Sequence, residues 1–286
     1  MRIGVGLPAA VPGALGTAVG EWAERAEALG FESLSVLDRL VYDNVDPLIA
    51  LAAAAERTRS VELLTTILNV PVRQNAVVVA KQIASLDQLS DGRITAGLAL
   101  GGWPEDYTAS GAPAAHKGAT FEAMLEGMEA VWKGKVEGAS GPIPALGAGR
   151  PSLLFGGFVD VTFARAARRG SGWIAPFFGH EAVLDGVARS RAAWAAAGRT
   201  DYPRIAVERY FCLADDADGI ADEYIAHYYG QEYFPAARAD TLTDAARVRD
   251  EVARLRVAGA TDLLFFPCTG EASELELLAE ALAGSP

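Results

Sequence analysis

The chain has 286 residues, 51% of them apolar, and a net charge of −12. That length fills one large core or two small ones. An acidic chain without a Lys/Arg cluster repels phosphate backbones, which excludes nucleic acid as a partner. Cys212 and Cys268 form neither a metal spacing nor a disulfide framework, as expected of a protein kept in a reducing cytoplasm. The opening stretch MRIGVGLPAA is interrupted by Pro8 and lacks a signal-peptide core. No later run has the length of a membrane span, so the expectation is a soluble cytoplasmic protein with no membrane partner.

Short apolar runs alternate with helical patterns along the chain. The first strand is predicted over 2–7 (RIGVGL), and the amphipathic segment after it stops at Gly30. A second strand over 33–38 (SLSVLD) precedes an Ala-rich helix, and a third over 61–68 (VELLTTIL) precedes a helix over 75–90. The fourth strand, 93–100 (RITAGLAL), runs out into glycines and the loop GWPEDY; a helix then covers 121–132. The fifth strand, 151–157 (PSLLFGG), and the sixth, 172–176 (GWIAP), are each followed by a helical pattern. The seventh strand is 204–213 (RIAVERYFCL), the eighth 261–266 (TDLLFF), and SELELLAEALA closes the chain. The segments 101–118 and 214–243 read as long connections.

The strands are rich in Val, Ile and Leu and mostly do not alternate, the pattern of strands covered on both faces. Eight β-then-α units predict an α/β fold, a (β/α)8 TIM barrel forming one domain over 1–286. A doubly wound open sheet is the rival. In a barrel, both long connections lie at the C-terminal rim, where active sites are built.

His116, His180 and His227 are unpaired and away from strand ends, so no metal site is expected. There is no G-x-S-x-G elbow. Gly156-Gly157 ends a strand and opens a helix, a place where backbone N–H groups can approach a phosphate. There Asp160 is a candidate cap and Thr162 a candidate hydroxyl donor; a plain tight turn is the other reading. Asp38 and Arg39 close the second strand, as catalytic groups or as an ion pair fixing the loop. Trp103, Asp106 and Tyr107, and likewise Tyr210, Tyr228, Tyr229 and Tyr233, are candidate walls for a planar ligand or ordinary packing.

The segment PVRQNAVVVAKQIASLDQLSDGRITAGLALGGWPEDYTASG (71–111) resembles the bacterial-luciferase-like flavin oxidoreductases, and FGG…ARAARRGSGWI (155–174) is similar to that family's phosphate turn. The order of GFESLSVLDRL and GATDLLFF agrees. The resemblance implies a barrel binding FMN, or the deazaflavin F420, at its C-terminal face. The ring would lie near Thr66, Ile67, Leu68, Gly101, Gly102 and Trp103, and the phosphate at Gly156, Gly157 and Thr162. It also implies a non-proline cis peptide within Thr65–Leu68. Three residues depart from true luciferases, which have histidine where Arg39 stands, cysteine where Ala99 stands and arginine where Leu100 stands. F420-dependent sugar dehydrogenases have Asp-His in place of Asp38-Arg39 and a carboxylate near Gly102. The family insertion that closes luciferase-type sites looks short or absent, implying an open pocket.

The implied function is an FMN-dependent monooxygenase acting on a small organic substrate through a C4a-peroxyflavin. Asp38 and Arg39 would be catalytic: Arg39 would stabilise negative charge, held in place by Asp38. Hydride transfer with F420 and flavin binding without turnover are the alternatives. A separate flavin reductase is a candidate partner, and the apolar helix 76–89 points to a homodimer.

Overall fold

The computed structural model describes residues 1–14, 16–138, 150–175, 177 and 179–284. Eight parallel strands close in sequence order, each paired with its neighbours and the last with the first. They are β1 (Arg2–Gly6), β2 (Ser33–Val36), β3 (Glu62–Asn69), β4 (Ile94–Ala99), β5 (Ser152–Gly156), β6 (Gly172–Ala175), β7 (Arg204–Phe211) and β8 (Asp262–Pro267). The helices are α1 (Ala18–Ala28), α2 (Pro47–Arg57), α3 (Ala76–Leu89), α4 (Pro104–Ser110), α5 (Lys117–Trp132), α6 (Asp160–Arg169), α7 (Gly179–Ala196), α8 (Ala217–Ala239), α9 (Ala245–Ala258) and α10 (Ser273–Ala283). The fold is a (β/α)8 TIM barrel.

Local chemistry starts several helices. Asp46 caps α2 by accepting from the Leu48 and Ile49 N–H groups, with Pro47 in the first turn. Asn75 caps α3, and Asp244 caps α9. Two segments read as connections are helical instead. Part of 101–118 is α4, and most of 214–243 is α8, which continues across a kink at Gly230 (φ 66°). The aromatic run YIAHYYGQEYF thus lies on α8, where Gly230 and Pro235 interrupt the helical pattern in the sequence.

The barrel interior is layered. At its N-terminal end Arg204 bridges Glu62 at 2.6 Å and Asp262 at 2.7 Å, and Arg2 adds a contact to Glu62 at 2.8 Å. Leu64, Leu154, Ile174, Ala206 and Leu264 belong to the apolar cluster inside the barrel, with Tyr210 and Phe266 towards the mouth. A second, larger core packs the outward strand residues against the helices. β3 is irregular: its register with β4 shifts between Thr65 and Leu68, and the Thr66–Ile67 peptide is cis, within the span the resemblance implied.

Candidate active site at the C-terminal mouth

Exposure is uneven around the barrel mouth. β1, β2, β7 and β8 are followed directly by the buried residues Leu7, Leu37, Cys212 and Cys268, and a separate cavity beyond β8 and β1 is lined by Val11, Cys268, Thr269 and Gly270. Ile67, Ala99, Leu100, Gly101 and Gly157 are partly exposed, and Gly102 is exposed. An open sector therefore lies over β3, β4 and β5. Its floor is the cis segment: a Cβ added to Gly156 would fall 2.0 Å from the Ile67 Cδ1, so only glycine lets the Ile67 side chain cross there. Leu68 is wholly buried in the outer core, so it can offer this sector only its backbone.

Beyond β5 the chain turns at Gly157, whose φ of +125° suits glycine alone. The Thr162 Oγ1 lies 3.1 Å from where a Gly157 Cβ would be, and the Gly157 carbonyl accepts from the Trp173 Nε1 at 2.8 Å. Thr162 is buried beneath the turn. Asp160 does not cap α6; Val159 occupies that position, without a side-chain cap. The Asp160 side chain points into solvent and pairs with Arg189 at 2.6 Å. No carboxylate stands in the turn, and the helix N-terminus is left favourable to an anion.

Asp38 and Arg39 do not pair with each other. Neighbouring residues of an extended chain point to opposite sides, so the two charges find different partners. Asp38 accepts from the Asn69 N–H at 2.7 Å and from the Arg73 Nη2 at 2.9 Å, and Arg73 reaches on to Asp46 at 3.2 Å. Burial pushes the Asp38 carboxyl up, against the opposing pull of Arg73. The Arg39 guanidinium lies 3.9 Å from the Trp103 ring centroid, with Tyr42 at 5.2 Å and Tyr228 at 5.6 Å. Its nearest carboxylate is Asp106, at 3.5 Å from Nε. The expected support of Arg39 by Asp38 is thus replaced by stacking and by Asp106.

Trp103 borders the open sector and meets Tyr228, Tyr229 and Tyr233 from α8 at centroid distances of 6.0, 6.0 and 6.4 Å. Tyr210 stacks on Phe177 at 4.2 Å and is fully buried, so it packs beneath this wall. Asp106 and Tyr107 are also buried and form no wall: Asp106 accepts from the Val41 N–H, and the Tyr107 hydroxyl donates to the Leu100 carbonyl. Among the described residues no group of three or more His, Cys, Asp or Glu could hold a metal ion.

Sequence reading missed Glu208. It sits on the inward face of β7 with Ala206 and Tyr210, is 2% exposed, and faces the Thr66 hydroxyl, which donates to the Val36 carbonyl at 3.4 Å. Burial pushes its carboxyl up to about 8. A charge in mid-strand among apolar residues was the available signal.

A closed parallel (β/α)8 barrel whose mouth holds an open, glycine-floored sector beside the β5–α6 turn defines the class of fold. The chain belongs to the luciferase-like monooxygenase family, whose model matches residues 1–267. It covers 60% of the length of uncharacterized Mycobacterium tuberculosis and Mycobacterium bovis proteins, which it matches at 28% identity over 171 residues, or 56% of this chain. In fold it is similar to the monooxygenase RslO1 from Streptomyces bottropensis (TM-score 0.82, 24% identity, 99% of each chain). It is also similar to an F420-dependent secondary alcohol dehydrogenase (TM-score 0.78, 17% identity, 98% of this chain and 97% of that one). A third likeness is to the oxygenating constituent of 3,6-diketocamphane monooxygenase from Pseudomonas putida, solved with FMN (TM-score 0.75, 18% identity, 99% and 98%). At these identities the likeness shows the fold alone.

Proposed function

We propose that this protein is a flavin-dependent oxidoreductase, an FMN-dependent monooxygenase acting on a small organic substrate. The observation that carries the reading is the partly exposed rim at Ile67, Ala99, Leu100, Gly101 and Gly157, with the Thr66–Ile67 segment as floor. The residues present fit such a cofactor. Ile67, Gly101, Gly102 and Trp103 would meet the ring, and the backbone at Gly156 and Gly157, with Thr162 beside it, would hold the phosphate. When bound, the cofactor supplies oxygen activation, or hydride transfer if it is F420.

The chain's own residues exclude water and fix charge. Trp103, Tyr228 and Tyr229 form the apolar wall, and Arg39, held against Trp103, places a positive charge at the edge of the sector. Titration of the purified protein with FMN and with F420, each oxidised and reduced, tests the reading. Micromolar FMN binding with NADH- and reductase-supported oxygenation is expected. Tight F420 binding with F420-supported reduction would replace oxygenation by hydride transfer. Binding without turnover would leave a flavin carrier, and no binding of either would overturn the proposal.

A further inference from the structure

Among the described residues no cation pairs with the Glu208 carboxylate. The inward arginine of its own strand, Arg204, is engaged by Glu62 and Asp262 at the far end of the barrel. The adjacent Arg209 points outward, where its Nε donates to Glu251 at 2.8 Å and its Nη1 to the Glu208 backbone carbonyl at 2.8 Å. At the level of Glu208, β8 and β1 bring Leu264 and Gly4. From α8 the facing titratable groups are Tyr228 and Tyr229, and from β3 the Thr66 hydroxyl. Among the described residues nothing hydrogen-bonds the Glu208 Oε1. A carboxylate taken out of water needs a paired cation or several donors, and this one has neither. A protonated carboxyl meets that environment at lower cost.

We propose that Glu208 is a neutral acid beneath the cofactor face, a positioning residue that acts through Thr66 on the cis segment and admits an anionic reduced ring above it. This rests on the cofactor placement of the preceding section. Reduced flavin is an anion near neutral pH, whereas the oxidised ring is neutral. An uncharged Glu208 tolerates both; an ionised one opposes the reduced form across a medium of low dielectric. No bond is made or broken in the cofactor or the chain beyond the carboxyl O–H, whose proton passes to solvent as pH rises.

The test compares reduced and oxidised FMN affinity from pH about 6 to about 9, in wild type and in Glu208→Gln, which keeps the shape but cannot ionise. With ionisation near 8, the wild-type Kd for reduced FMN should rise about tenfold between pH 7 and pH 9, and that for oxidised FMN by less than about twofold. Both forms carry the same phosphate, so its titration cancels in the comparison. Glu208→Gln should give parallel profiles for the two forms above pH about 7.5, where the reduced ring is already anionic. The infrared band of a protonated carboxyl, read in cofactor-free protein at pH 7 and absent from Glu208→Gln, is the second expected result. Parallel wild-type profiles, or the absence of that band, would overturn the role of Glu208 while leaving flavin binding intact. Failure to bind FMN or F420 at any pH would instead overturn the cofactor placement. Should Glu208→Gln not fold, the wild-type profiles and its carboxyl band decide.

Discussion

Asp38 and Arg39 are adjacent in sequence, yet each is held by a residue at least 35 positions away: Asp38 by Arg73 and Arg39 by Asp106. Their place at the rim is legible in the sequence because a strand ends there. Their partners are not, because the register of distant loops decides them. Arg39→Ala would leave Asp106 buried without a cation, which costs about 3 kcal/mol or more. Arg39→Ala/Asp106→Asn should recover most of that stability in denaturant titrations. If Arg39 also steadies negative charge during turnover, the double variant should stay about a hundredfold slow, with flavin affinity almost unchanged. Arg39→Lys should fall between, since it keeps charge but loses the planar face on Trp103. Recovery of turnover in the double variant would reduce Arg39 to a structural ion. Glu208 carries a separate stability prediction. Its carboxyl ionises near 4.5 when unfolded and at about 8 when folded. Its contribution is therefore fully present below about 4.5 and is lost as pH rises towards 8. Glu208→Gln should be the more stable protein at pH 8, by about 2–5 kcal/mol, with the difference closing towards pH 4. Melting curves that stay equally spaced across that range would show that Glu208 is ionised in the fold.

The elements that were legible are those with a simple period. Strands such as β8 read as continuous apolar runs because helices cover one side and the barrel interior the other. α10 matches the predicted SELELLAEALA segment because its apolar line is unbroken. α8 was hidden because Gly230 and Pro235 mask its period, and α9 because its buried Val248, Val252 and Leu255 sit among many charges. The β5–α6 turn was legible as a glycine pair, but its geometry was not. The φ of +125° at Gly157 makes any side chain strained there, so Gly157→Asp alone would confuse folding with binding. Gly157→Ala is the reference. It should cost about 1 kcal/mol and weaken FMN or F420 binding modestly. Gly157→Asp should weaken binding about a hundredfold beyond the alanine variant, because the carboxylate opposes a phosphate at the helix N-terminus. Equal affinities of the two variants, read by fluorescence titration, would put the phosphate elsewhere.

At the scale of the molecule, the barrel separates its tasks by end: ion pairs close the N-terminal floor, and the mouth carries the open sector. Eight β-then-α units made that architecture readable in the sequence. The choice between FMN and F420 was not readable, because it depends on the shape of one rim sector rather than on any motif. A homodimer through α3 remains an expectation with a definite surface. Val77 and Val78, near its N-terminus, are 47% and 49% exposed, and Ile49 on the adjacent α2 is 63% exposed. Apolar side chains grouped on neighbouring helices suit an isologous contact, in which the same surface serves both copies. The chain's charge of −12 opposes that contact, since two copies repel each other at low ionic strength. Sedimentation should therefore show a dimer that tightens as salt rises from about 50 mM to about 500 mM, as screening removes the repulsion. Val78→Glu sets two carboxylates near the symmetry axis and should give a monomer with an unchanged circular dichroism spectrum. A dimer that survives this change is held by another face. A wild-type monomer at every salt concentration would mean that the valines of α3 serve no self-association.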